Sequence, residues 1–491
     1  MMKKLAYYAL DTATSRGVQY ADVRVVEMKN QIVEPKNLAV SGTSEWDGMS
    51  LGVRVLVNGG WGFASPAKLT SAAIAAAVDR AIAMAKISAR CRKERIVLAP
   101  EAGYDAEWTS RFLKDPFKVS IETKVGILLE AAKIMRKVKG IDLTTGSMCF
   151  GKERKLFVSS LGSCIMQTTV TSSCGIDASA FDVDGRYQTR SYPTSFGGQF
   201  ENAGFEMIEK WDLVGNAERV ASEAVELCKA PVCPEMTTTV ILESSQLGLQ
   251  IHESCGHAVE LDRVFGEEVN YAGTSFLTPN HLNKLQYGSE IVNLTADATD
   301  LNGLGSFGFD DEGVPAQRVE IVKNGLFVGY LTSRETAAKL GLARSGGAMR
   351  AETGSDTPLI RMTNVSLLPG DGGTLADMIA DTKQGIYLAT NRSWSIDDKR
   401  LNFQFGTEVA WEIKNGKLRR MLRDPSYYGM TPQFWNSCDS VGSDSVVWGV
   451  PTCAKAQPCQ SIGTGHGAPP ARFRRVKVGV AIPTMKQGCA K

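Results

Sequence analysis

The sequence predicts an α+β fold with two domains. Residues 1–234 are expected to form an N-terminal mixed α/β domain with antiparallel strands and long helices, and residues 235–491 a C-terminal, mainly antiparallel β domain around one helix. The first reason is length, because 491 residues exceed what one hydrophobic core usually organises. The second is that helical periodicity concentrates in the first half, whereas hairpin turns dominate the second. The third is the pair Pro231 and Pro234, which interrupts both patterns and predicts the boundary.

In the N-terminal half, stretches of helical spacing alternate with extended stretches. Long helices are predicted at residues 3–16, 70–89, 119–137 and 216–228. Strands are predicted at residues 20–28, in a hairpin at 49–63 that turns at Asn58-Gly59-Gly60, and several times within 140–200. Residues 90–116 follow neither period and are predicted to form a surface connection with short structure.

The C-terminal half opens with a β-branched, apolar run at residues 237–242 that predicts a buried strand. Ser244 and Ser245 are candidate N-caps for a mostly apolar helix that follows directly. Beyond that helix, hairpins are predicted around Asn324-Gly325 and Asn415-Gly416. The half is therefore expected to be mainly antiparallel β-structure around few helices.

Composition excludes several classes of partner. A hydrophobic content of 43% with 22% charged residues is ordinary for a globular protein. The net charge of +2 indicates neither a nucleic-acid nor an acidic-membrane partner, and no apolar run is long enough to span a bilayer. The charged and polar residues from Asp11 to Arg16 interrupt any signal-peptide core. Eleven scattered cysteines without a C-x-x-C pair indicate free thiols in a reducing compartment, so we expect the cytoplasm.

The segment from His252 to His257 carries the candidate chemistry, with the pattern H-E-x-x-x-H. It holds two of the four histidines of the chain, and a carboxylate beside a ligating imidazole can take a proton from metal-bound water. On a regular helix, five positions at roughly 100° each place the two imidazoles about 140° apart. A shared metal therefore requires a π-bulge or an unwound last turn, which Gly256 would permit. The alternative is a helix with two unrelated histidines.

Further segments carry a resemblance to the TldD/PmbA family of metallopeptidases, specifically its metal-binding TldD-like branch. The histidine motif after a buried strand is similar to that of the family. The segments D-D-E-G-V-P at 310–315, R-M-T-N at 361–364 and L-P-G at 368–370 also resemble family segments, in the family's order. Near the end of the chain, C-A-K-A-Q-P at 453–458 and H-G-A-P-P-A-R-F at 466–473 do so as well.

The resemblance implies a function and a site. The protein would be a zinc-dependent peptidase that hydrolyses unstructured peptides or unfolded protein segments through a metal-bound water. One Zn²⁺ per chain would be held by His252, His257 and Cys453, with Glu253 as the catalytic base, and another divalent transition metal stays possible. The family pattern also implies a homodimer, or a heterodimer with a TldE/PmbA-like subunit.

Alternatives stay open at this stage. Cys459 lies close enough to Cys453 to be mistaken for the third ligand, and Glu260 is a carboxylate candidate for the same role. His466 is at best a neighbour of the ligands or of the substrate, and Cys255 is expected to be packing. Some family members have been described as modulators of DNA gyrase, so a non-enzymatic regulatory or binding subunit is the alternative function. A hydrolase of a non-peptide amide is a third.

Overall fold

The computed structural model describes residues 1–182, 185–271 and 273–480. The N-terminal helices are α1 Met2–Ser15, α2 Ser71–Cys91, α3 Ile121–Lys137, α4 Glu206–Trp211 and α5 Leu213–Lys229. The N-terminal strands are β1 Tyr20–Lys36, β2 Ala39–Val57, β3 Gly60–Ala64, β4 Asp105–Thr109, β5 Leu143–Ser159, β6 Cys164–Phe181, β7 Tyr187–Tyr192 and β8 Gln199–Glu201. A short 3₁₀ turn spans Pro116–Lys118.

These strands form one eight-stranded sheet with the order β3-β2-β1-β5-β6-β4, and β7 and β8 both pair with β6. All pairings are antiparallel except that of β4 with β6. One face of the sheet is apolar because alternate residues of a strand point to the same side. Val23 and Val25 pack with helices α1 and α2, and Val33 of the same strand packs with α3 and α5. All four long helices therefore cover one face of the sheet.

The opposite face of the sheet carries buried charges and meets the C-terminal half. Arg54 Nη2 lies 2.7 Å from Asp22, and Arg54 Nη1 lies 3.1 Å from Glu312 of the C-terminal half. Lys155 Nζ lies 2.9 Å from Asp311. The acidic segment 310–312 therefore neutralises basic residues of the sheet, and buried charges of this kind require such partners.

The C-terminal helices are α6 Ser244–Ile251, α7 Leu261–Val264, α8 Arg334–Lys339, α9 Leu375–Ala380 and α10 Thr431–Asn436. The strands are β9 Met236–Leu242, β10 Leu294–Asp297, β11 Arg318–Lys323, β12 Leu326–Phe327, β13 Met349–Arg350, β14 Leu359–Ile360, β15 Val365–Leu367, β16 Gln384–Ile396, β17 Asn402–Lys414, β18 Lys417–Leu422, β19 Pro425–Met430, β20 Cys438–Val441, β21 Val446–Lys455, β22 Gln460–Ala468 and β23 Ala471–Val480.

The main C-terminal sheet has the order β16-β9-β23-β19-β17-β18, with β20 beside β23. Strand β16 also pairs with β17, so β16, β9, β23, β19 and β17 close into a ring. Helix α6 leaves this ring directly after β9 and is held to it by polar contacts. The Gln246 amide donates to Tyr427 on β19 at 2.8 Å, and Asn391 on β16 donates to Gln246 at 3.1 Å.

Smaller sheets complete the C-terminal half. They are a four-stranded sheet in the order β12-β11-β10-β15 and the hairpins β13–β14 and β21–β22. No helix among the described residues is both long and apolar enough to cross a membrane.

The predicted α+β class is confirmed, including a mainly antiparallel β half around one buried helix. The boundary at residue 234 stays a prediction. The short structure predicted within residues 90–116 includes a strand, β4, which pairs in parallel with β6. One local prediction was wrong. The N-cap of α6 is Glu243, whose carboxylate accepts from the Gln246 amide, whereas the Ser244 hydroxyl donates to the Ala468 carbonyl.

Candidate metal centre

The two histidines of the H-E-x-x-x-H motif lie at the two ends of one π-helical turn. Helix α6 ends at Ile251, and residues His252–Gly256 continue it as a π-helix. The amide of His257 bonds to the carbonyl of His252, which is the five-residue spacing of a π-turn. The wider turn brings the two imidazoles to one side, with ring centroids 4.8 Å apart. The predicted distortion of the helix end is confirmed.

Gly256 serves this turn for a different reason than the sequence suggested. Its φ of −53° and ψ of −57° are ordinary right-handed helical values, so the freedom of glycine is not used. A Cβ at this position would instead lie 2.0 Å from Met362 Sδ, and Met362 is fully buried. Glycine is therefore required because the R-M-T-N segment packs directly against the π-turn.

Gly256→Ala is expected to destabilise the protein by about 1–3 kcal/mol and to lower its metal content, because Met362 or the π-turn must move. The matched control is Gly248→Ala on helix α6, where a new Cβ would meet nothing closer than 3.6 Å. Thermal unfolding and elemental analysis of both variants test this. Equal melting temperatures and metal contents in the two variants would contradict the packing argument.

Cys453 reaches the histidines from a distant part of the chain. It lies on β21, 196 positions from His257, and its Sγ is 3.4 Å from His257 Nε2. One donor atom from each of His252, His257 and Cys453 lies within 4.8 Å of the other two, and all three residues are buried. A nitrogen at 2.1 Å and a sulfur at 2.3 Å from one tetrahedral zinc would be about 3.6 Å apart. The donor set and its spacing therefore fit a transition metal.

Hydrogen bonds orient both imidazoles toward that position. His466 Nδ1 lies 2.9 Å from the Val365 carbonyl, which can only accept, so this nitrogen carries the proton of a neutral ring. His466 Nε2 is then an acceptor, and His252 Nδ1, 2.8 Å away, donates to it. His257 Nδ1 donates to Glu260 at 2.9 Å. Both histidines therefore keep a free electron pair on Nε2, the atom that a metal would bind.

Glu260 and Cys453 are themselves held in place by buried cations. Lys455 Nζ is 3.5 Å from Glu260 and 2.7 Å from Asp262, so the carboxylate behind His257 is neutralised. Arg361, the first residue of the R-M-T-N segment, donates to the carbonyl of Cys453. Three of the segments that carry the family resemblance, which contain Arg361, Cys453 and His466, thus meet at one site, although they are scattered along the sequence.

The burial of the site favours neutral imidazoles. Burial lowers the pKa of His257 to about 3 and that of His466 to about 4, and it lowers the pKa of His252 well below its ordinary value. Burial would raise the pKa of Glu260, but the charge of Lys455 holds it far below the usual range. Burial also raises the pKa of the Cys453 thiol to about 11, so metal binding there must displace a proton.

Glu253 is paired with an arginine that the sequence reasoning missed. Arg400 Nη1 lies 2.6 Å from Glu253 Oε2, and both side chains are largely buried. Burial raises the pKa of Glu253, whereas the charge of Arg400 opposes that rise. Arg400 stands in a run of four charged residues, 397–400, between β16 and β17. That run was the only sign in the sequence of a buried charge at this position. Runs of charged residues are usually exposed to solvent, and only the tertiary structure shows that Arg400 points inward.

The remaining candidates lie apart from the three donor atoms. Cys459 is exposed, and its Sγ is 3.5 Å from the Tyr271 hydroxyl. Cys255 is fully buried in the C-terminal core, as expected for packing. His281 lies in a 3₁₀ turn at Pro279–His281, where its Nδ1 is 2.9 Å from the Thr278 hydroxyl.

A cleft of about 590 Å³ opens onto His252, Glu253 and His257. Its walls come from both halves of the chain, with the loop between β7 and β8 on one side and strands β16 and β21 on the other. The metal-ligand candidates are therefore buried but remain reachable by a substrate.

Comparisons with known proteins agree with this geometry. The PmbA/TldA metallopeptidase C-terminal domain matches residues 235–480, domain 1 of the same family matches residues 21–85, and its central domain matches residues 114–229. A metalloprotease from Methanocaldococcus jannaschii is 31% identical over 452 residues, which cover 91% of this chain and 95% of that protein. A metalloprotease from Methanothermobacter thermautotrophicus is 30% identical over 94% of this chain and 96% of its own length.

The fold is shared with a solved structure of more distant sequence. TldE from Thermococcus kodakarensis superposes with a TM-score of 0.74 at 17% identity, over 97% of this chain and 99% of that one. The three domain matches and the long alignments to metalloproteases confirm two predictions, the peptidase role and the family. The chain belongs to the TldD/PmbA family of metallopeptidases.

Proposed function

We propose that this protein is a zinc-dependent peptidase in which His252, His257 and Cys453 bind one metal ion. The observation that carries the proposal is the tautomer arrangement behind the two histidines. A neutral His466 and a charged Glu260 accept from the two Nδ1 atoms, so both Nε2 atoms are unprotonated and lie near the Cys453 thiol. Any buried imidazole needs an acceptor for its N–H group, but two unrelated core histidines would have no reason to bring both Nε2 atoms together beside one thiol.

A divalent metal in this position supplies a Lewis acid that activates water and polarises the scissile carbonyl. The residues of the chain do the remaining work. Glu253 accepts the proton of the attacking water and delivers it to the leaving amine. Arg400 holds the Glu253 carboxylate in one orientation at 2.6 Å, and His466 and Glu260 keep the imidazole rings from rotating.

The donor set favours zinc over the hard cations. Two imidazoles and one thiolate are ligands that zinc accepts in a tetrahedral site with one open position. Calcium and magnesium prefer oxygen ligands, which this donor set does not offer. Iron or cobalt can occupy the same site, so the bound metal is to be measured on the purified protein.

The substrate class is an unstructured peptide or an unfolded protein segment. Strands β21 and β22 form a two-stranded sheet, and β21 carries Cys453 along one wall of the cleft. An extended peptide that lay in the cleft alongside β21 would bring its backbone to Glu253, which lines the same cleft. Recognition through backbone hydrogen bonds accepts many sequences but requires an extended chain, which folded proteins do not present.

Two further properties belong to the proposal. The chain works as a homodimer or as a heterodimer with a TldE/PmbA-like subunit, and it acts in the cytoplasm. The near-balanced charge of the chain supports a function that does not involve nucleic acid.

Metal removal tests the enzymatic proposal. We expect about one zinc per chain by elemental analysis, cleavage of reduced and unfolded casein, and no cleavage of a folded substrate. Dialysis against a chelator should abolish cleavage, because the described residues that line the cleft include no activated nucleophile and burial raises the pKa of the Cys453 thiol to about 11. Added Zn²⁺ should restore cleavage. Serine- and cysteine-protease inhibitors are the control and should change nothing. Cleavage that survives complete metal removal would contradict the proposal, and a metal-loaded protein without cleavage would favour the binding-subunit alternative.

A further inference from the structure

The cleft beside Glu253 has an aromatic wall that the proposed chemistry does not use. Phe196 and Trp394 line the cleft together, and their ring centroids are 5.6 Å apart with an edge-to-face angle of 88°. Both rings are well exposed, at 59% for Phe196 and 44% for Trp394. Two large apolar side chains that share one exposed contact beside a site form a surface suited to a ligand.

The wall lies in the same cleft as the Glu253 carboxylate. Trp394 lies on β16, the strand that ends just before the loop carrying Arg400, the partner of Glu253. Leu249 of helix α6 and Trp448 and Pro451 of β21 continue the apolar lining of the same cleft. A peptide whose scissile bond lies beside Glu253 would therefore place an adjacent side chain against these rings.

The loop that carries Phe196 is fixed by close backbone packing. A Cβ at Gly198 would lie 1.9 Å from the carbonyl oxygen of Cys174, and one at Gly175 would lie 2.6 Å from Gly197. The backbone of the loop therefore rests directly on strand β6. Within this loop Phe196 has a φ of +58°, which is unfavourable for a bulky residue. The positive φ of Phe196 costs conformational free energy, and the exposed ring gains little from packing that would offset this cost.

We propose that Phe196 and Trp394 form a subsite for a large apolar or aromatic side chain next to the scissile bond. The inference rests on the proposed peptidase function and makes its substrate class narrower: unstructured peptides that carry such a residue. Contact with the two rings removes apolar surface of both partners from water, and the edge-to-face geometry favours another aromatic ring. Backbone recognition then permits many sequences, and this subsite selects the position of cleavage among them.

The test uses two unstructured peptides with the same polar sequence. They differ only at one central position, which is Phe in one peptide and Gln in the other. Mass spectrometry is expected to place cleavage by the zinc-loaded protein next to the Phe, with kcat/KM about tenfold higher than for the Gln peptide. In Phe196→Ala that ratio should fall to about two, mainly through KM, because the subsite contributes binding rather than chemistry. Phe196→Tyr keeps the ring and should restore the preference.

The control variant is Phe181→Ala, which removes another exposed ring, one that pairs with Tyr187 and does not line the cleft. It should keep the wild-type ratio. An unchanged ratio in Phe196→Ala, or an equal fall in Phe181→Ala, would overturn the inference. So would a change of oligomeric mass in Phe196→Ala, because the ring would then belong to a subunit interface.

A binding measurement separates this inference from the proposed function. Glu253→Ala protein should bind the fluorescently labelled Phe peptide about tenfold more tightly than the Gln peptide, and Phe196→Ala should remove that difference. If wild-type protein cleaves neither peptide but the binding difference is present and depends on Phe196, the peptidase proposal fails and the subsite stands. If cleavage occurs without any dependence on Phe196, the peptidase proposal stands and the subsite fails.

Discussion

Glu253→Ala is expected to reduce peptide cleavage by about 10²–10⁴-fold while the protein keeps its metal. The carboxylate is adjacent to His252 but lies outside the group of three donor atoms, and its nearest charged partner is Arg400 at 2.6 Å. Its loss therefore removes the proton acceptor without removing a ligand. Single-turnover cleavage of an unfolded substrate and elemental analysis are to be measured on the same preparation.

Two comparisons make this experiment decisive. Glu253→Gln keeps the volume of the side chain and a hydrogen-bond acceptor for Arg400, so it separates loss of the base from disturbance of a buried arginine. Glu290→Ala changes an exposed glutamate that does not line the cleft, and it should behave as wild type. Loss of stoichiometric metal in Glu253→Gln would show that Glu253 is a ligand, and full activity would show that it is not the base.

Cys453→Ser should lower metal affinity by more than about 100-fold. Removal of a residue that only hydrogen-bonds to a metal ligand already lowers affinity by up to that factor, and loss of a ligand should cost more. A hydroxyl is a poor replacement for a thiolate on zinc, and the fold offers no second thiol within reach among the described residues. Competition of each variant with a chromogenic chelator measures the affinity. Thermal unfolding with and without added zinc shows whether the protein remains folded.

Cys459→Ser is the matched control, since it makes the same chemical change six positions along the chain on an exposed side chain. It should bind metal as the wild type does. The opposite result, metal loss in Cys459→Ser alone, would mean that the wrong cysteine has been assigned. Retention of metal by both variants would point to a carboxylate such as Glu260, although that group already accepts from His257 Nδ1. Truncation before Cys453 is a weaker test, because it also removes β23 from the closed ring of strands.

The sequence by itself determined the features that depend on local backbone geometry. The Asn-Gly turns at 58–59, 324–325 and 415–416 all lie between paired strands, as their preference for positive φ predicts. The sequence also predicted the distorted helix end at His252. Two histidines five positions apart on one helix can face the same side only if the turn between them is not a regular α-helical turn. A strand such as β4 escaped prediction because five residues in parallel pairing show no distinctive local pattern.

The tertiary structure alone decided which distant groups complete the site. Phe196, Arg400 and the β21–β22 hairpin, which carries both Cys453 and His466, come from three separate parts of the chain, and no spacing rule relates them to His252. Their convergence depends on the packing of helix α6 against β16 and the β21–β22 hairpin, and on the N-terminal loop that lines the same cleft. The resemblance to a known family identified Cys453 in advance, whereas Arg400 and the aromatic wall required the fold. The physical reason is that periodicity and turn preferences act over a few residues, whereas the donors that surround one ion are selected by the folded chain as a whole.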